Sequence, residues 1–243
     1  MSSVIHPTAL ISPSAKISSD VSVGPFSIVE DNVTINSGTI ISSSVHIRSN
    51  TSIGKDCQIF QSSVIGEIPQ DLKYAGEDTE LIIGDRTKIR EFCTINKGTN
   101  ASGKTIIGND CLLMAYVHIA HDCMIGNNIV LANGVQVGGH VEIEDWVTVG
   151  GMTPIHQFIK IGCHAFVGGG YRIVQDIPPY ILAMGEPLKY AGINNIGLRR
   201  RKFPPEVRNL IKNIYKIIFK SKTNISDSIK LINDNYISHD EAK

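Results

Sequence analysis

Apolar β-branched or leucine side chains recur every six residues along this chain. Counting in sixes from Ile5, Ile, Leu or Val occupies 26 of 29 positions up to Ile173. The run is unbroken from Ile5 to Ile65, continues at Ile83, Ile89 and Ile95, and is unbroken again from Ile107 to Ile173. The exceptions, Asp71, Glu77 and Ala101, fall in two polar stretches that read as loops. A period of six fits neither a helix at 3.6 nor a simple alternating strand at 2. It is the hexapeptide pattern of a parallel β-helix, in which each hexad supplies a short strand and a corner. Three hexads close a triangular coil, and coils stack about 4.8 Å apart at parallel-strand spacing. Residues eighteen apart therefore become neighbours.

A second regularity lies four positions after each apolar landing point, where Ala9, Ala15, Ser27, Thr39, Thr51, Cys57, Ser63, Thr87, Cys93, Cys111 and Cys123 are found. Small or β-branched residues suit an inside corner where coils pack closely. Each buried Ile or Val contributes roughly 1.5–3 kcal/mol, so the repeats can support one elongated domain. Known hexapeptide coils wind left-handed, against the usual right-handed crossover; the period alone does not carry the hand. The pattern stops near Ile173, and Pro178-Pro179 forbids a simple continuation. From Pro205 the spacing becomes helical, with Val207, Leu210, Ile211, Ile214, Tyr215 and Ile218 on one face. A second helix is expected from Asp227 to Tyr236, with Ser226 as its cap. The expected architecture is an all-β solenoid plus α. Residues 1–182 form a left-handed parallel β-helix with projecting loops near 66–80 and 97–105, and residues 183–243 form a basic α-helical region.

The formal net charge of zero hides an asymmetry. Residues 1–186 hold 11 Lys and Arg against 18 Asp and Glu, whereas residues 187–243 hold 12 against 5. The lysines of the first helix read either as a solvated face or as an anion-seeking surface; Arg199-Arg200-Arg201-Lys202 just before it favours the second reading locally. Nucleic acid is not expected, because the basic region lacks interleaved aromatics or a binding motif. Four of five cysteines hold inside-corner positions and no CxxC pair exists, so they read as core fillers rather than disulfides or metal ligands. The opening residues lack the blocks of a signal peptide and no apolar run could cross a membrane, so a cytoplasmic protein is expected.

Gly98-Thr99-Asn100-Ala101-Ser102-Gly103-Lys104-Thr105 matches the phosphate-loop pattern letter for letter. That chemistry needs a helix after the loop, but Ile107 resumes the hexad register at once. An ordinary exposed loop is expected instead, with Lys104 able to touch a ligand. Histidine carries more information. Five of eight lie between His118 and His164, while His6, His46 and His239 have no companions and read as solvent-facing. Coil arithmetic stacks His121 under Gly139 and Gln157, Asp122 under His140, and Ala120 under Gly138 and His156. His121, His140 and His156 then share one edge at successive levels. Histidine accepts a proton near neutral pH without special tuning, and a glycine amide one level above could receive the oxyanion of an acyl transfer. No nucleophile elbow is visible, which favours direct transfer between two substrates. The alternative is zinc held by three imidazoles, as in a hydratase on the same scaffold, with Asp122 orienting one of those imidazoles.

The loop from Gly66 to Glu77, the segments Ile89–Thr99, Val117–Cys123, Gly138–Val141 and Ile155–Phe158, and the run Gly197-Leu198-Arg199-Arg200-Arg201 closely resemble one family, the UDP-N-acetylglucosamine O-acyltransferases of lipid A biosynthesis. The resemblance covers nearly the whole chain. It implies a left-handed β-helix homotrimer with active sites between subunits. It implies transfer of an R-3-hydroxyacyl chain from acyl carrier protein to the 3-hydroxyl of UDP-N-acetylglucosamine, with no metal or redox cofactor. By the same resemblance His121 is the general base, Asp122 orients it and Gly139 is the oxyanion donor. His118, His140, His156 and Gln157 are implied pocket residues; Gln70, Asp71 and Lys73 are implied loop residues at the sugar nucleotide. Asn194, Arg200 and Arg201 are implied nucleotide contacts across the interface, and Gly169 and Tyr171 mark the acyl-chain pocket. Two positions depart from relatives: Ile196 replaces a common acidic residue, and Tyr171 is bulky where the acyl chain is measured. A related N-acyltransferase would be expected to lack the 66–77 loop.

Overall fold

The computed structural model describes residues 4–220 and 224–236. The hexads form three sheets of mostly two-residue strands, here called A, B and C in the order the chain first visits them. Each coil contributes one strand to each sheet, and the register pairs Val23 with Ile41, Val29 with Ile47 and Ile35 with Ile53. The landing residues from Val23 onward point inward and form one continuous buried column, with Ile47, Ile53, Ile65, Ile89, Ile95, Leu113 and Ile119 fully enclosed. The result is the left-handed parallel β-helix.

From the second coil onward the regular corners turn on a residue in the left-handed backbone region. Asn32, Asn50, Asp56, Asp110, Asp122 and Asn128 are inexpensive there, and His140 and His164 are tolerated, but Phe92, Tyr116, Trp146 and Phe158 share the same conformation at a cost. Rings at equivalent corners stack to offset that strain: Phe92 on Tyr116 at 5.1 Å and His140 on Phe158 at 4.5 Å between centroids. The inside-corner residues do more than save space. Ser27, Thr39, Ser63 and Thr87 donate hydroxyl hydrogens to carbonyls of the next coil, at 2.7, 2.9, 2.9 and 2.9 Å. Cys57, Cys93, Cys111 and Cys123 do the same with their thiols. Burial pushes the Cys93 and Cys123 thiols up to about 12, so they stay protonated donors.

Two coils are longer than the rest. Ile53 pairs with Ile83 and Ile83 with Ile107, so the extra chain is twelve residues in the first case and six in the second. Both insertions leave the prism between sheet B and sheet C: one after Val64–Glu67, the other after Thr94–Asn96. The phosphate-loop reading fails structurally, because Lys104–Ile107 after the second loop is a strand.

Sheet A continues beyond the repeats through Ile181–Met184 and ends on an antiparallel strand, Lys189–Ile193. The expected junction at 182/183 thus falls inside a strand. Helix α1 (Asn195–Arg200), α2 (Pro205–Lys220) and α3 (Ile225–Tyr236) follow. The apolar face of α2 closes the end of the prism with buried Ile211, Ile214 and Tyr215, whose hydroxyl donates to Pro179 O at 2.7 Å. Lys212 and Lys216 remain exposed. The cap of α3 is Asn224 rather than Ser226: its side-chain oxygen accepts the Asp227 N–H at 2.8 Å and its amide donates to the Asp227 carboxylate at 2.9 Å. That reciprocal pair satisfies an orphan amide that Ser226, already inside the helix, cannot reach. No helix among the described residues is long and apolar enough to cross a membrane. His239 lies outside the described residues.

Candidate active site

The edge between sheets B and C gathers the chemistry. His118 ends the B side and faces outward, while His121 and Asp122 form the corner itself. The left-handed conformation of Asp122 turns its carboxylate inward, and its side chain has no exposed surface. His121 Nδ1 lies 2.7 Å from Asp122 Oδ2, and its side chain keeps 13% exposure. An ionised carboxylate only accepts, so Nδ1 carries the hydrogen and Nε2 presents its lone pair.

Asp122 is ionised despite its burial. Desolvation raises its pKa, but hydrogen bonds from Ser102, Thr99 and His121 outweigh that effect and hold it well below the ordinary carboxylate range. The donors arrive from the second inserted loop. Thr99 N–H and Oγ1 lie 3.0 and 2.6 Å from the two carboxylate oxygens, and Ser102 N–H and Oγ lie 3.3 and 2.5 Å from Oδ1. The stretch expected to be an ordinary exposed loop is therefore half buried, with Lys97, Gly98 and Thr99 enclosed.

One coil above, His140 presents Nε2 at 3.8 Å from Asp122 Oδ2, and its ring meets His121 edge-on at 5.1 Å. The backbone of Gly139 lies against the His121 imidazole, leaving no room for a side chain. The Gly139 N–H has no acceptor among the described residues. At several, though not all, equivalent turn positions this amide meets an oxygen of a neighbouring side chain: Ser49 N donates to Glu30, Lys55 N to Asp85 and Cys163 N to Glu144. The corner amide is thus shaped by the fold to receive a negatively charged oxygen.

The other predicted residues fall into groups. His118 joins the cluster; burial, and secondarily the charge of His121, lower its pKa, and its Nδ1 pairs with Thr94 Oγ1 at 2.8 Å. His156 and Gln157 are exposed on the same edge, and His156 Nδ1 bonds the Gln157 carbonyl at 3.1 Å. Gln70, Asp71 and Lys73 sit on the first loop, where Asp71 accepts the Lys73 N–H at 3.0 Å; they make no hydrogen bond or ion pair to His121 among the described residues. Gly169 and Tyr171 lie on the edge between sheets A and B, and the Tyr171 ring folds back over Gly168. His46 is not simply solvent-facing, because it pairs with Glu30 at 2.8 Å.

Asn194, Arg200 and Arg201 are on the far side of the prism. Together with Thr148, Phe166, Leu182 and Ile196 they line a cavity of about 680 Å³ on sheet A. The Asn194 side chain caps α1 by accepting the Gly197 N–H at 3.0 Å, and donates to His164 O at 2.9 Å. Arg201 lies over the Trp146 ring at 5.1 Å, donates to Trp146 O at 2.9 Å, and reaches His164 Nδ1 at 3.4 Å. Burial, and then the Arg201 charge, push the His164 pKa down to about 4, so it accepts as a neutral imidazole. Reading the sequence missed Thr99, Ser102, Trp146 and His164. The signal for the first two was present: a phosphate-loop pattern marks an anion cradle, and here the anion is the protein's own carboxylate.

His121, Asp122 and His140 offer possible ligand atoms within 4.8 Å of one another. The Asp122 oxygens are already occupied by five donors, however, which suits an oriented base better than a metal ligand set.

Known proteins match the chain over its length. Residues 176–243 match the family model described as UDP-N-acetylglucosamine O-acyltransferase, domain 2, and residues 104–139 match the bacterial transferase hexapeptide model of six repeats. The acyl-(acyl-carrier-protein)–UDP-N-acetylglucosamine O-acyltransferase of Chlorobaculum parvum is 54% identical over 99% of this chain and 92% of its own length. The enzyme of the same name from Paracidovorax citrulli is 52% identical with the same coverage. The UDP-N-acetylglucosamine acyltransferase of Francisella novicida superposes with a TM-score of 0.96 at 37% identity, covering 98% of this chain and 88% of that one. LpxA of Acinetobacter baumannii superposes at 0.94 with 43% identity, covering 97% and 92%. With identities of this size across both the coils and the terminal helices, the chain belongs to the UDP-N-acetylglucosamine O-acyltransferase family.

Proposed function

We propose that this protein transfers an R-3-hydroxyacyl chain from acyl carrier protein to the 3-hydroxyl of UDP-N-acetylglucosamine, the first step of lipid A synthesis, in the cytoplasm. The observation that carries the reading is the His121–Asp122 pair beneath the unoccupied Gly139 amide. His121 Nε2 takes the proton of the sugar hydroxyl as that oxygen attacks the thioester carbonyl. The carbonyl oxygen becomes an oxyanion held by the Gly139 N–H. Collapse expels the carrier thiolate, which recovers a proton from the His121 imidazolium. Asp122 keeps the imidazole in the required tautomer throughout. His118, His140, His156 and Gln157 line the pocket, Gln70, Asp71 and Lys73 bind the sugar nucleotide from their loop, and Gly169 and Tyr171 bound the acyl chain.

Asn194, Arg200 and Arg201 contact the nucleotide from a second subunit. The topology supports this, since sheet A lies opposite the edge that holds His121. Within one chain the two groups therefore lie on different sides of the prism. A homotrimer with sites between subunits resolves the separation, and the fully exposed Leu72 on the first loop is a natural contact for a neighbour. The test is incubation with UDP-N-acetylglucosamine and a series of hydroxyacyl carrier proteins, products weighed by mass spectrometry. An O-acylated sugar nucleotide is expected from wild type. Its absence with every donor, or its formation at wild-type rate by a folded His121→Ala variant, overturns the reading.

A further inference from the structure

The second inserted loop reproduces the letters of a phosphate loop and encloses a carboxylate. Two backbone amides and two hydroxyls converge on Asp122, from Thr99 and Ser102. The loop is held closed by its own bonds: Gly103 N–H donates to Thr99 O at 2.7 Å and Ala101 N–H to Thr99 Oγ1 at 3.2 Å. Close packing fixes its base, since a Cβ on Gly98 would stand 2.3 Å from Lys104 N. Asn100 also reaches Glu77 of the first loop at 3.3 Å. Such a cradle commits the carboxylate to one orientation, and His121 Nδ1 uses what remains of it.

We propose that the loop from Gly98 to Lys104 is a built-in anion cradle that aims Asp122, and through it His121, making Thr99 and Ser102 positioning residues for acyl transfer. The proposal rests on the reading of His121 as the base. By sharing the carboxylate's charge among four further donors, the cradle also limits how strongly Asp122 stabilises the protonated imidazole. The base is thereby oriented without being made too reluctant to release its proton to the leaving thiolate.

The titratable groups facing this carboxylate are His121 at its own corner, His140 on the coil above, and the adjacent Cys123 thiol, while His118 interacts with His121. Of the lysines flanking the loop, Lys97 turns its ammonium to Ser49 O at 3.4 Å and Lys104 is exposed. The cradle itself therefore adds donors and no further titrating group.

The experiment uses the full-length protein with its two substrates. Thr99→Val and Ser102→Ala are measured for kcat and KM between pH 5.5 and 9, alone and combined with Asp122→Asn; Thr99→Ser serves as the conservative control. The expected result for Thr99→Val is a kcat lower by about 10- to 100-fold with KM for the sugar nucleotide changed less than about threefold. Removing a donor localises charge on Asp122 and so stabilises the protonated imidazole, and the acid limb of the kcat profile moves to higher pH by roughly half a unit. Thr99→Ser retains most activity. In the Asp122→Asn background neither loop substitution costs more than about twofold, since neighbours acting through one group are not additive. An unmoved pH profile, or losses that multiply in the Asp122→Asn background, overturns the proposal. High activity in His121→Ala overturns the underlying base assignment instead, so the two failures are distinguishable.

Discussion

The imidazole of His121 lies against the backbone of Gly139, so close that a Cβ built at 139 would stand 2.8 Å from both Cε1 and Nε2 of the ring. Gly139 has an ordinary backbone conformation, so the constraint is space alone. Gly139→Ala is expected to push the ring off the amide and lower kcat by about 10²–10³, the range for losing an oxyanion-hole geometry. The thermal midpoint should stay within a few degrees of wild type. Steady-state kinetics beside a melt check this, and retained activity would show that ring and amide do not work together.

Complementation between subunits tests the division of the site. Variants His121→Ala and Arg200→Ala/Arg201→Ala are expected to be weakly active alone, the second through a raised, salt-sensitive KM. After co-refolding in equal amounts, about a quarter of intersubunit sites should combine an intact base with intact arginines. The mixture should therefore exceed the sum of its parts. Merely additive activity would put base and arginines on separate tasks.

His164 provides a pH signature of stability. Its folded pKa is pushed to about 4, below the ordinary histidine value. Protonation therefore favours the unfolded chain: the stabilising effect of the neutral ring is complete above about pH 6.5 and is lost progressively as pH falls towards 4. Thermal melts of His164→Phe across that range should show a shallower decline than wild type. An identical slope would mean that the ring is not neutral against Arg201.

The inside-corner hydroxyls should matter for stability and not for catalysis. Thr87 is fully buried, donates to Gly108 O at 2.9 Å and accepts the Cys111 N–H at 3.2 Å. Thr87→Val keeps the shape but orphans both partners, an expected loss of about 1–3 kcal/mol in denaturant unfolding. The kcat should remain unchanged.

Much of this molecule could be read from its letters because the repeat is strict. Every strand register from Val23 to Ile173 follows from stepping in sixes, and with it the stacking of His121, Asp122, Gly139 and His140. The stepping survives both insertions only because they add twelve and six residues; one residue more in either would have shifted the twelve landing points from Ile107 to Ile173 out of phase. What escaped was contact rather than register. Nothing in the spacing says that Thr99 and Ser102 bend down onto Asp122, because loop conformation follows from local hydrogen bonding. Trp146 and His164, eighteen apart, stack as the coil spacing requires, but Arg201 reaches them only when the chain returns across its own corner after Pro178-Pro179. Residue type suits Ser226 and Asn224 equally as a cap, and only the start of the helix at Ile225 separates them.

Both insertions leave the prism at the edge that holds the histidines, and this separates two kinds of change in length. Deleting one residue within a regular coil would swing every later side chain from inside to outside and ruin the column of isoleucines. Trimming or extending the chain between Ile68 and Asp78 would leave that column untouched. Variation in length is thus harmless to the scaffold where it can reshape the walls around the proton acceptor, so relatives can diverge in what they admit while keeping the same frame.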